Sequence, residues 1–340
     1  MTALAVDTAD APVYLHSYLA PLANILARPD VTDIYINAPG EYWIETLGGT
    51  VERRDDARLT EVALERLSRQ IAAIAHQGIS RAHPMLSASL PDGSRVQIVF
   101  PPATRGPVAI AIRKHLARGM TLDDYESQGA FDTVRQDAED TGSVTRSLRQ
   151  LHADGEYAAL LGQAVRARKN ILISGGTSSG KTTFLNALLK EIPPAERLIT
   201  IEDAPELIQS HANMIGLIAA RSRLSEADVS AEALLGAALR MRPDRILLGE
   251  IRGPEAFTFL RAINSGHPGS MTTIHADSPR LAVEQMALLV MQSGARLSRQ
   301  DVAHYIRSTI DIFVQLGRRS GKRFVEAVTL GGQLAARSAD

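Results

Sequence analysis

Cysteine is absent from the sequence, and its absence removes two classes of structure. Without cysteine the chain has no disulfides and no cysteine-ligated metal site, which is typical of proteins from the reducing cytosol. Long apolar runs are absent too, since no stretch approaches the roughly 18 apolar residues of a membrane-spanning helix. Residues 1–12 contain neither a basic residue nor a long apolar run, so they do not resemble a signal peptide. We therefore expect a cytoplasmic protein whose contact with a membrane is peripheral.

An excess of either charge is missing as well. The 37 Lys and Arg residues nearly balance the 38 Asp and Glu residues, which gives a formal net charge of -1 and a pI of about 6.8. A basic field over the whole chain, typical of nucleic-acid-binding proteins, is thereby excluded. One local basic segment, RRSGKR at residues 318–323, predicts a solvated hairpin tip, with acidic lipid headgroups or DNA as alternative partners.

The 340 residues, of which 45% are hydrophobic, suit two domains. Residues 1–131 predict a small α+β domain, because strand patterns at 31–44, 96–100 and 108–112 accompany a helical apolar pattern at 60–75. The apolar stripe of this helix consists of Val62, Leu64, Leu67, Ile71 and Ile74, and Thr60 is its candidate N-cap.

Residues 132–150 are polar and charged, and they predict a linker. From residue 151 to 340 strand and helix patterns alternate, which predicts a parallel sheet covered by helices on both faces. We expect strands at 171–174, 198–202, 245–249 and 270–275, and helices at 182–191, 231–241 and 255–264. Two final strands, at 310–317 and 323–330, predict a hairpin around the turn Arg318–Lys322.

The segment GGTSSGKT at residues 175–182 matches the phosphate-loop pattern G-x-x-x-x-G-K-[ST] at every fixed position. Glycines let the backbone wrap closely around an anion, so that successive N–H groups point at phosphate oxygens. Lys181 supplies a cation for the β- and γ-phosphates, and the Thr182 hydroxyl suits Mg²⁺. The sequence therefore predicts a nucleoside triphosphate site. Its residues are Gly175, Gly176, Thr177, Ser178, Ser179, Gly180, Lys181, Thr182 and Thr183.

Two carboxylates follow the predicted strand at 198–202, in the segment TIEDAPEL. Ligands of open α/β sheets bind beyond the carboxyl ends of the strands, where Glu202 and Asp203 are expected. A carboxylate at that place can orient and deprotonate a water molecule that attacks the γ-phosphate. The alternative is a solvated acidic turn that leads to Pro205.

The strand at 245–249 ends in Gly249-Glu250. An ordinary Walker B strand would end in an aspartate that holds Mg²⁺, and here Gly249 stands at that position. Glu250 would then act on the metal ion through water, or polarise the attacking water. The alternative is a loop glutamate that pairs with a nearby arginine.

A fourth strand, in GHPGSMTTIHADSP, ends at His275. An imidazole near the γ-phosphate would report its loss, because a hydrogen bond disappears on hydrolysis. Taken alone, the histidine is more often structural. His267 and His275 are weak candidates for zinc, because a third ligand at suitable spacing is missing from the sequence.

Four segments occur in one order along the chain: GGTSSGKTT, TIEDAPEL, RMRPDRILLGEIRGPEA and GHPGSMTTIHADSP. Together they resemble the Walker A, Asp, Walker B and His boxes of the secretion traffic ATPases. Their sequences are similar to those of the type IV secretion and conjugation branch, the VirB-eleven type. The N-terminal segments VTDIYINAPGEYWIE and RVQIVFPPAT resemble the N-terminal domain of that branch, so the resemblance covers nearly the whole chain.

The resemblance implies a homohexameric ATPase at the cytoplasmic face of the inner membrane, which hydrolyses ATP with Mg²⁺ to power substrate transfer or pilus biogenesis. Each subunit would have an N-terminal domain, a linker and a RecA-like P-loop domain. The implied partners are other inner-membrane ATPases and membrane components of the secretion machine, and no specific nucleic acid. The resemblance also assigns hydrolysis to Glu202 and Glu250, with Thr182 and Glu250 at the metal ion, and γ-phosphate sensing to His275.

Arginines are the other group that the resemblance implies. In that family a basic residue of the N-terminal domain reaches the nucleotide, and Arg113 is the candidate here, with Arg105 a weaker one. Arg240 and Arg242 could stabilise charge from the ATPase domain. For any single arginine, a surface ion pair is the alternative.

Other classes fit less well. Pilus assembly and retraction motors share the four boxes, although their Walker B region usually lacks the segments RMRPD and GPEA. A nucleic-acid translocase is a second alternative, against which the near-neutral charge counts. Type II secretion ATPases usually carry a four-cysteine zinc module, which this chain cannot form. A P-loop kinase would need an acceptor pocket and an arginine-rich lid, and neither is recognisable.

Overall fold

The structure is a computed structural model, and it describes residues 13–115, 121–127, 129–132, 142–222 and 224–336. The first twelve residues and residues 133–141 of the predicted linker lie outside the described residues. Those described form a mixed α/β structure with a six-stranded and a seven-stranded sheet. In this part of the chain, every helix is too short or too polar to cross a membrane.

The N-terminal region is an antiparallel sheet with helices against it. Its elements are α1 (Val13–Leu19), α2 (Ala23–Leu26), β1 (Val31–Ile36), β2 (Glu41–Thr46), β3 (Val51–Asp55), α3 (Glu61–Ile74), β4 (Met85–Ser89), β5 (Arg95–Val99) and β6 (Ala109–Arg113). The strand order is β3-β2-β1-β6-β5-β4. Helix α3 begins at the predicted cap, because the Thr60 hydroxyl accepts a hydrogen bond from the Ala63 N–H at 3.2 Å. Leu64 and Leu67 of its stripe are buried, whereas Val62 is exposed, which corrects the predicted stripe.

Helices connect the two sheets: α4 (Leu122–Ser127), α5 (Ser143–Ala153) and α6 (Tyr157–Arg166). Residues 143–150 of the segment interpreted as a linker thus lie in α5. Leu148 of this helix is buried in a cluster that contains Leu160 and Leu161 of α6. The polar composition of α5 misleads because a helix that packs along one narrow stripe needs few apolar residues.

The C-terminal region alternates strands with helices, as the pattern predicts. Its elements are β7 (Ile171–Gly175), α7 (Lys181–Leu189), β8 (Leu198–Glu202), β9 (Met214–Ile218), α8 (Ala231–Ala238), β10 (Arg245–Leu248), α9 (Glu255–Asn264), β11 (Met271–Ile274), α10 (Pro279–Gln292), α11 (Arg299–Thr309), β12 (Ile312–Arg319), β13 (Lys322–Leu330) and α12 (Gly331–Ala336). The order is β13-β12-β7-β11-β10-β8-β9, and only β13 is antiparallel to its neighbour among these strands. The central strands are buried along their length, as expected for a sheet covered on both faces.

The hairpin β12–β13 is present, but its turn is tighter than predicted. The strands meet at Ser320 and Gly321, which have φ angles of 49° and 81°. Two consecutive left-handed residues are typical of a type I′ hairpin turn, because this turn matches the twist of the strands.

Parallel strands give the C-terminal sheet two chemically different edges. We call the edge where β7, β8, β10 and β11 end the carboxyl edge, and the edge where they begin the amino edge. The phosphate loop follows β7 at the carboxyl edge. The RMRPD segment precedes β10 at the amino edge.

The N-terminal sheet packs against the free strand β9 of the C-terminal sheet. Thr104 forms an antiparallel bridge with Leu217, and the Arg105 N–H donates to the Gly216 carbonyl at 2.8 Å. Tyr35 and Ala103 of the N-terminal region belong to the same buried cluster as Leu217. This contact covers the outer edge of β9, which would otherwise be open to pairing with another chain. It also brings the loop after β5 to the carboxyl edge.

Candidate active site

The phosphate loop is a tight connection between β7 and α7. Gly175 ends β7 and Lys181 opens α7, and between them Gly180 adopts the left-handed conformation with a φ angle of 92°. A Cβ atom built on Gly175 would lie 2.8 Å from the Leu316 carbonyl oxygen, so a side chain cannot be accommodated there. Gly175 and Gly180 therefore have the steric role that the sequence predicts, which is to let the backbone turn closely.

Lys181 lies across the loop. Its Nζ donates to the carbonyl oxygens of Gly175 at 3.0 Å and Gly176 at 3.4 Å, and it lies 3.3 Å from Nε2 of His275. The side chain is buried at 9% exposure. Burial lowers the pKa of the Lys181 ammonium, and the nearby carboxylate of Glu250 opposes this shift.

Glu250 follows β10 and meets His275, which follows β11. The Glu250 Oε1 atom lies 3.0 Å from His275 Nε2. This pair does not have hydrogen-bond geometry, so Oε1 is buried without a hydrogen-bond partner among the described residues. In the tautomer that is protonated on Nδ1, His275 Nε2 accepts a hydrogen bond from Lys181 Nζ.

Arg252 is a site residue that the sequence does not single out. Its Nε donates to Glu250 Oε2 at 2.9 Å, and its Nη1 donates to Asp203 Oδ2 at 2.8 Å. The hydrogen bond to Glu250 raises the pKa of Arg252. Glu250 therefore does pair with a nearby arginine, which the sequence offered as the alternative, but only through Oε2. Its other oxygen, Oε1, faces His275.

Glu202 is buried at 4% exposure, which excludes a solvated acidic turn for this residue. Its Oε1 accepts from the backbone N–H groups of Glu206 at 2.8 Å and Leu207 at 2.6 Å, and Arg105 Nη1 lies 3.4 Å from its Oε2. Burial raises the pKa of Glu202, and the two backbone hydrogen bonds oppose the shift. Asp203, by contrast, is exposed.

Gly249 stands where a Walker B strand usually has its aspartate. A Cβ atom built on Gly249 would lie 3.4 Å from Cγ of Glu202 and 3.5 Å from the Ile201 carbonyl oxygen, which are ordinary van der Waals distances. The strands β8 and β10 are neighbours in the sheet, and their pairing brings Glu202 and Glu250 to the same edge.

Three of the predicted arginines lie at the amino edge, and this corrects their expected position. Arg113 Nε donates to Asp33 Oδ1 at 2.9 Å. Arg242 Nη2 lies 2.6 Å from Glu45 Oε1, and Arg242 shares a cavity of about 490 Å³ with Arg113. Arg240 donates to a carbonyl of the preceding helix α8 at 2.9 Å. Because Arg240 and Arg242 come just before β10, the sheet separates this group from the phosphate loop.

Arg105 is the N-terminal arginine that the structure brings to the carboxyl edge. Its Nη1 donates to the Leu207 carbonyl at 2.7 Å in addition to its contact with Glu202. His267 also lies at the amino edge, where its Nδ1 is 2.9 Å from the Pro243 carbonyl oxygen. Since His267 and His275 lie at opposite edges, they cannot share a zinc ion.

The site fits Mg²⁺ held together with a nucleotide, rather than a metal ion held by protein alone. Within the described ranges, no group of three or more His, Asp or Glu side chains could hold a metal ion. Mg²⁺ is usually bound by one or two protein groups plus substrate phosphates. The unpaired Oε1 of Glu250 and the Thr182 hydroxyl, which has no side-chain partner in the described chain, suit that role.

Comparison with known proteins identifies the family of this chain. The model of the family described as Type II/IV secretion system protein matches residues 16–326. The chain is 39% identical over 320 residues to the type IV secretion system protein VirB11 of Bartonella henselae, covering 89% of each chain. It is 40% identical over 314 residues to the type IV secretion system protein PtlH of Bordetella pertussis, covering 90% of this chain and 91% of that protein.

A solved structure shares the whole architecture. The crystal structure of the VirB11 ATPase of the Brucella suis type IV secretion system, in complex with sulphate, superposes with a TM-score of 0.88 at 36% identity. The match covers 96% of this chain and 97% of that chain. The fold is therefore that of a secretion ATPase.

Proposed function

Because the chain belongs to the Type II/IV secretion system protein family, as a VirB11-type secretion ATPase, we propose that it binds ATP with Mg²⁺ at the carboxyl edge and hydrolyses it to ADP and phosphate. The reaction powers substrate transfer or pilus biogenesis by a type IV secretion system. One arrangement supports this proposal most directly. His275 Nε2 lies 3.3 Å from Lys181 Nζ and 3.0 Å from Glu250 Oε1, next to a glycine-rich loop.

Lys181 is placed to bind the β- and γ-phosphates. Its ammonium donates to the neutral carbonyl oxygens of Gly175 and Gly176, and phosphate oxygens are stronger, charged acceptors. The N-terminal end of α7 adds its positive dipole at the same place. Because a negative ligand favours the charged form of the amine, nucleotide binding offsets the effect of burial on the pKa of Lys181.

Glu250 is better placed than Glu202 to orient and deprotonate the attacking water. Its Oε1 is unpaired and lies beside His275, while Arg252 holds Oε2 and thereby fixes the carboxylate. Glu202 is instead held by two backbone N–H groups and contacts Arg105. Its role is to position the loop at residues 206–207.

Thr182 would hold Mg²⁺ directly and Glu250 would act on the ion through a water molecule, and the ion would neutralise negative charge on the phosphates. His275 is the residue that senses the γ-phosphate, because it contacts both Lys181 and Glu250. When the γ-phosphate leaves, Lys181 regains the loop carbonyls as acceptors, and the environment of His275 changes with it.

The same proposal extends to the assembly. Copies of the chain form a hexameric ring at the cytoplasmic face of the inner membrane, with other ATPases and membrane components of the secretion machine as partners. Each copy has an N-terminal domain at 1–131, a linker at 132–150 whose last residues form α5 and pack against α6, and a RecA-like ATPase domain at 151–340. The contact between Arg105 and Glu202 supports coupling between the domains, because it connects the loop after β5 to the nucleotide edge.

Replacing Lys181 tests this proposal. We expect Lys181→Ala to reduce phosphate release from MgATP by at least about 100-fold, since one preorganised donor at a developing charge has an effect of this size. Lys190→Ala is the matched control, because Lys190 is an exposed lysine at the end of the same helix α7. The control should keep its rate within about twofold. Phosphate release at the rate of the unsubstituted protein in Lys181→Ala would refute the site.

A further inference from the structure

The hairpin β12–β13 extends beyond the carboxyl edge beside the phosphate loop. β12 pairs with β7 as far as Leu316, which lies opposite Gly175, the last residue of β7. From there β12 continues to Arg319, and β13 returns from Lys322. The basic segment RRSGKR, for which the sequence predicts a solvated tip, therefore lies at the edge that binds the nucleotide.

One basic residue of this hairpin lies against the phosphate loop. A Cβ atom built on Gly180 would lie 3.0 Å from Cδ of Arg323, 3.5 Å from its Nε and 3.7 Å from its Nη1. Gly180 directly precedes Lys181 in the loop. Arg323 and Gly180 are far apart in the sequence, and the pairing of β12 with β7 brings them together. The guanidinium of Arg323 is thus a direct neighbour of the loop that holds the phosphates.

Arg323 has no charged partner in the part of the chain that the structure describes. The side chain is exposed, and it forms no salt bridge or side-chain hydrogen bond with any residue that the structure describes. Across the hairpin, Arg323 pairs with Arg318, and Lys322 pairs with Arg319. Like charges directly opposite each other destabilise a strand pair. An anion bound at this place would relieve that repulsion.

The position of Arg323 relative to the other site residues indicates which part of a nucleotide it meets. In the sheet, β7 lies between β12 and β11. His275 and Glu250, which surround the γ-phosphate position, lie on the β11 side of the loop. Arg323 lies on the β12 side. A triphosphate bound along the loop with its γ-phosphate towards β11 has its α-phosphate and nucleoside towards β12.

We propose that Arg323 is a nucleotide-binding residue, whose guanidinium binds the α-phosphate end of the nucleotide held by the phosphate loop of the same chain. This inference rests on the proposed function, because it takes the phosphate loop as the ATP site. The proposed role of Arg323 differs from the roles of His275 and Glu250 in a measurable way. A group at the α-phosphate contacts ATP and ADP alike, whereas a group at the γ-phosphate distinguishes them.

The test compares the affinities for MgATP and MgADP, measured by titration calorimetry. We expect Arg323→Ala to weaken the binding of both nucleotides by about tenfold, since one charge-assisted hydrogen bond is lost. The ratio of the two affinities should stay unchanged. The kcat at saturating ATP should stay within about twofold, because a contact that is equal in the ground state and the transition state affects binding alone.

Arg319→Ala is the matched control. It removes one positive charge from the same hairpin, but Arg319 lies on the opposite face, where its guanidinium is 5.9 Å from the centre of the Phe324 ring. We expect the control to keep both affinities within about twofold. Arg323→Lys keeps the charge without the planar fork, and it should recover part of the lost affinity.

Two results would overturn the inference: unchanged MgADP affinity in Arg323→Ala, whether or not the MgATP affinity falls, or an equal loss of affinity in Arg319→Ala. Unchanged nucleotide affinity together with weaker binding of Arg323→Ala to phosphatidylserine vesicles would assign the hairpin to a membrane surface instead. In each of these cases the unsubstituted protein still binds MgATP, so the proposed function stands. If the unsubstituted protein binds no MgATP, the proposed function fails as well.

Discussion

The two edges of the C-terminal sheet use their charged residues in opposite ways. At the amino edge, Arg245 is fully buried and holds Glu196 through two hydrogen bonds of 2.7 Å. Arg197 is buried as well, and its guanidinium lies 3.9 Å from the centre of the Tyr35 ring. At the carboxyl edge, Lys181 donates to backbone carbonyls and lies beside an imidazole, and an oxygen of Glu250 is unpaired among the described residues.

Charged residues near a nucleotide motif are therefore not all part of the site. At the amino edge the charges hold the structure together, because Arg245 is fixed by Glu196 and Arg197 donates through Nη1 to Asn37 and Asn213. Burial lowers the pKa of Arg197 to about 10, which reflects the placement of a charge between the two sheets. At the carboxyl edge the charges are available to a ligand. Substitutions at the amino edge should therefore change stability, and those at the carboxyl edge should change activity.

The largest effect is expected at the amino edge. Arg245→Ala leaves the Glu196 carboxylate without its buried partner, and it should lower the free energy of unfolding by about 3–5 kcal/mol, as measured by urea denaturation. Arg252→Ala is the counterpart at the carboxyl edge, where the arginine is 62% exposed. It should change the free energy of unfolding by less than about 1 kcal/mol. Equal losses of stability in the two variants would remove the distinction between the edges.

A smaller but specific effect is expected for Glu250. Glu250→Gln should lower the kcat for ATP by about 100-fold, because the amide cannot accept a proton from water. The affinity for MgADP should change far less than the rate. Glu191→Gln is the control, since Glu191 forms an exposed pair with Arg166 after α7. A Glu250→Gln protein that hydrolyses ATP at the rate of the control would show that another group is the base.

The smallest effect distinguishes the two N-terminal arginines. Arg105→Ala removes a hydrogen bond to the Leu207 carbonyl and the contact with Glu202, and it should reduce the ATPase rate by about fivefold. Arg113→Ala acts at the amino edge and should keep the rate within about twofold. The reverse ranking would mean that Arg113 reaches a nucleotide outside the arrangement seen in this chain, either after a domain rotation or in a neighbouring copy.

Much of the fold can be predicted from the sequence, because the strands of a parallel sheet are continuous apolar runs between helical patterns. The strand Leu198–Glu202 and the helix Glu255–Asn264 have their predicted bounds. The edge strand β9 is not predicted, because its pairing depends on β8 and on the loop at residues 103–105. Such contacts join residues that are far apart in the sequence, and a local sequence pattern cannot predict them.

The candidate site, too, can be predicted only where it does not depend on long-range contacts. The sequence places Glu202, Glu250 and His275 at or just after the ends of strands, and Lys181 after the loop that follows a strand. Topology alone brings the ends of parallel strands to one edge. Arginines carry no such signal. Arg113 and Arg105 both follow strand patterns of the N-terminal region, and only the packing of the two sheets decides which of them meets Glu202.

Amide hydrogen exchange with and without MgATP reports both edges in one experiment, and so decides where the nucleotide lies. Binding should slow exchange in peptides that cover residues 175–183 and 249–252 at the carboxyl edge. Peptides that cover residues 240–245 at the amino edge should exchange as before. Slower exchange at the amino edge with no change in the phosphate loop would contradict the assignment of the nucleotide to the carboxyl edge.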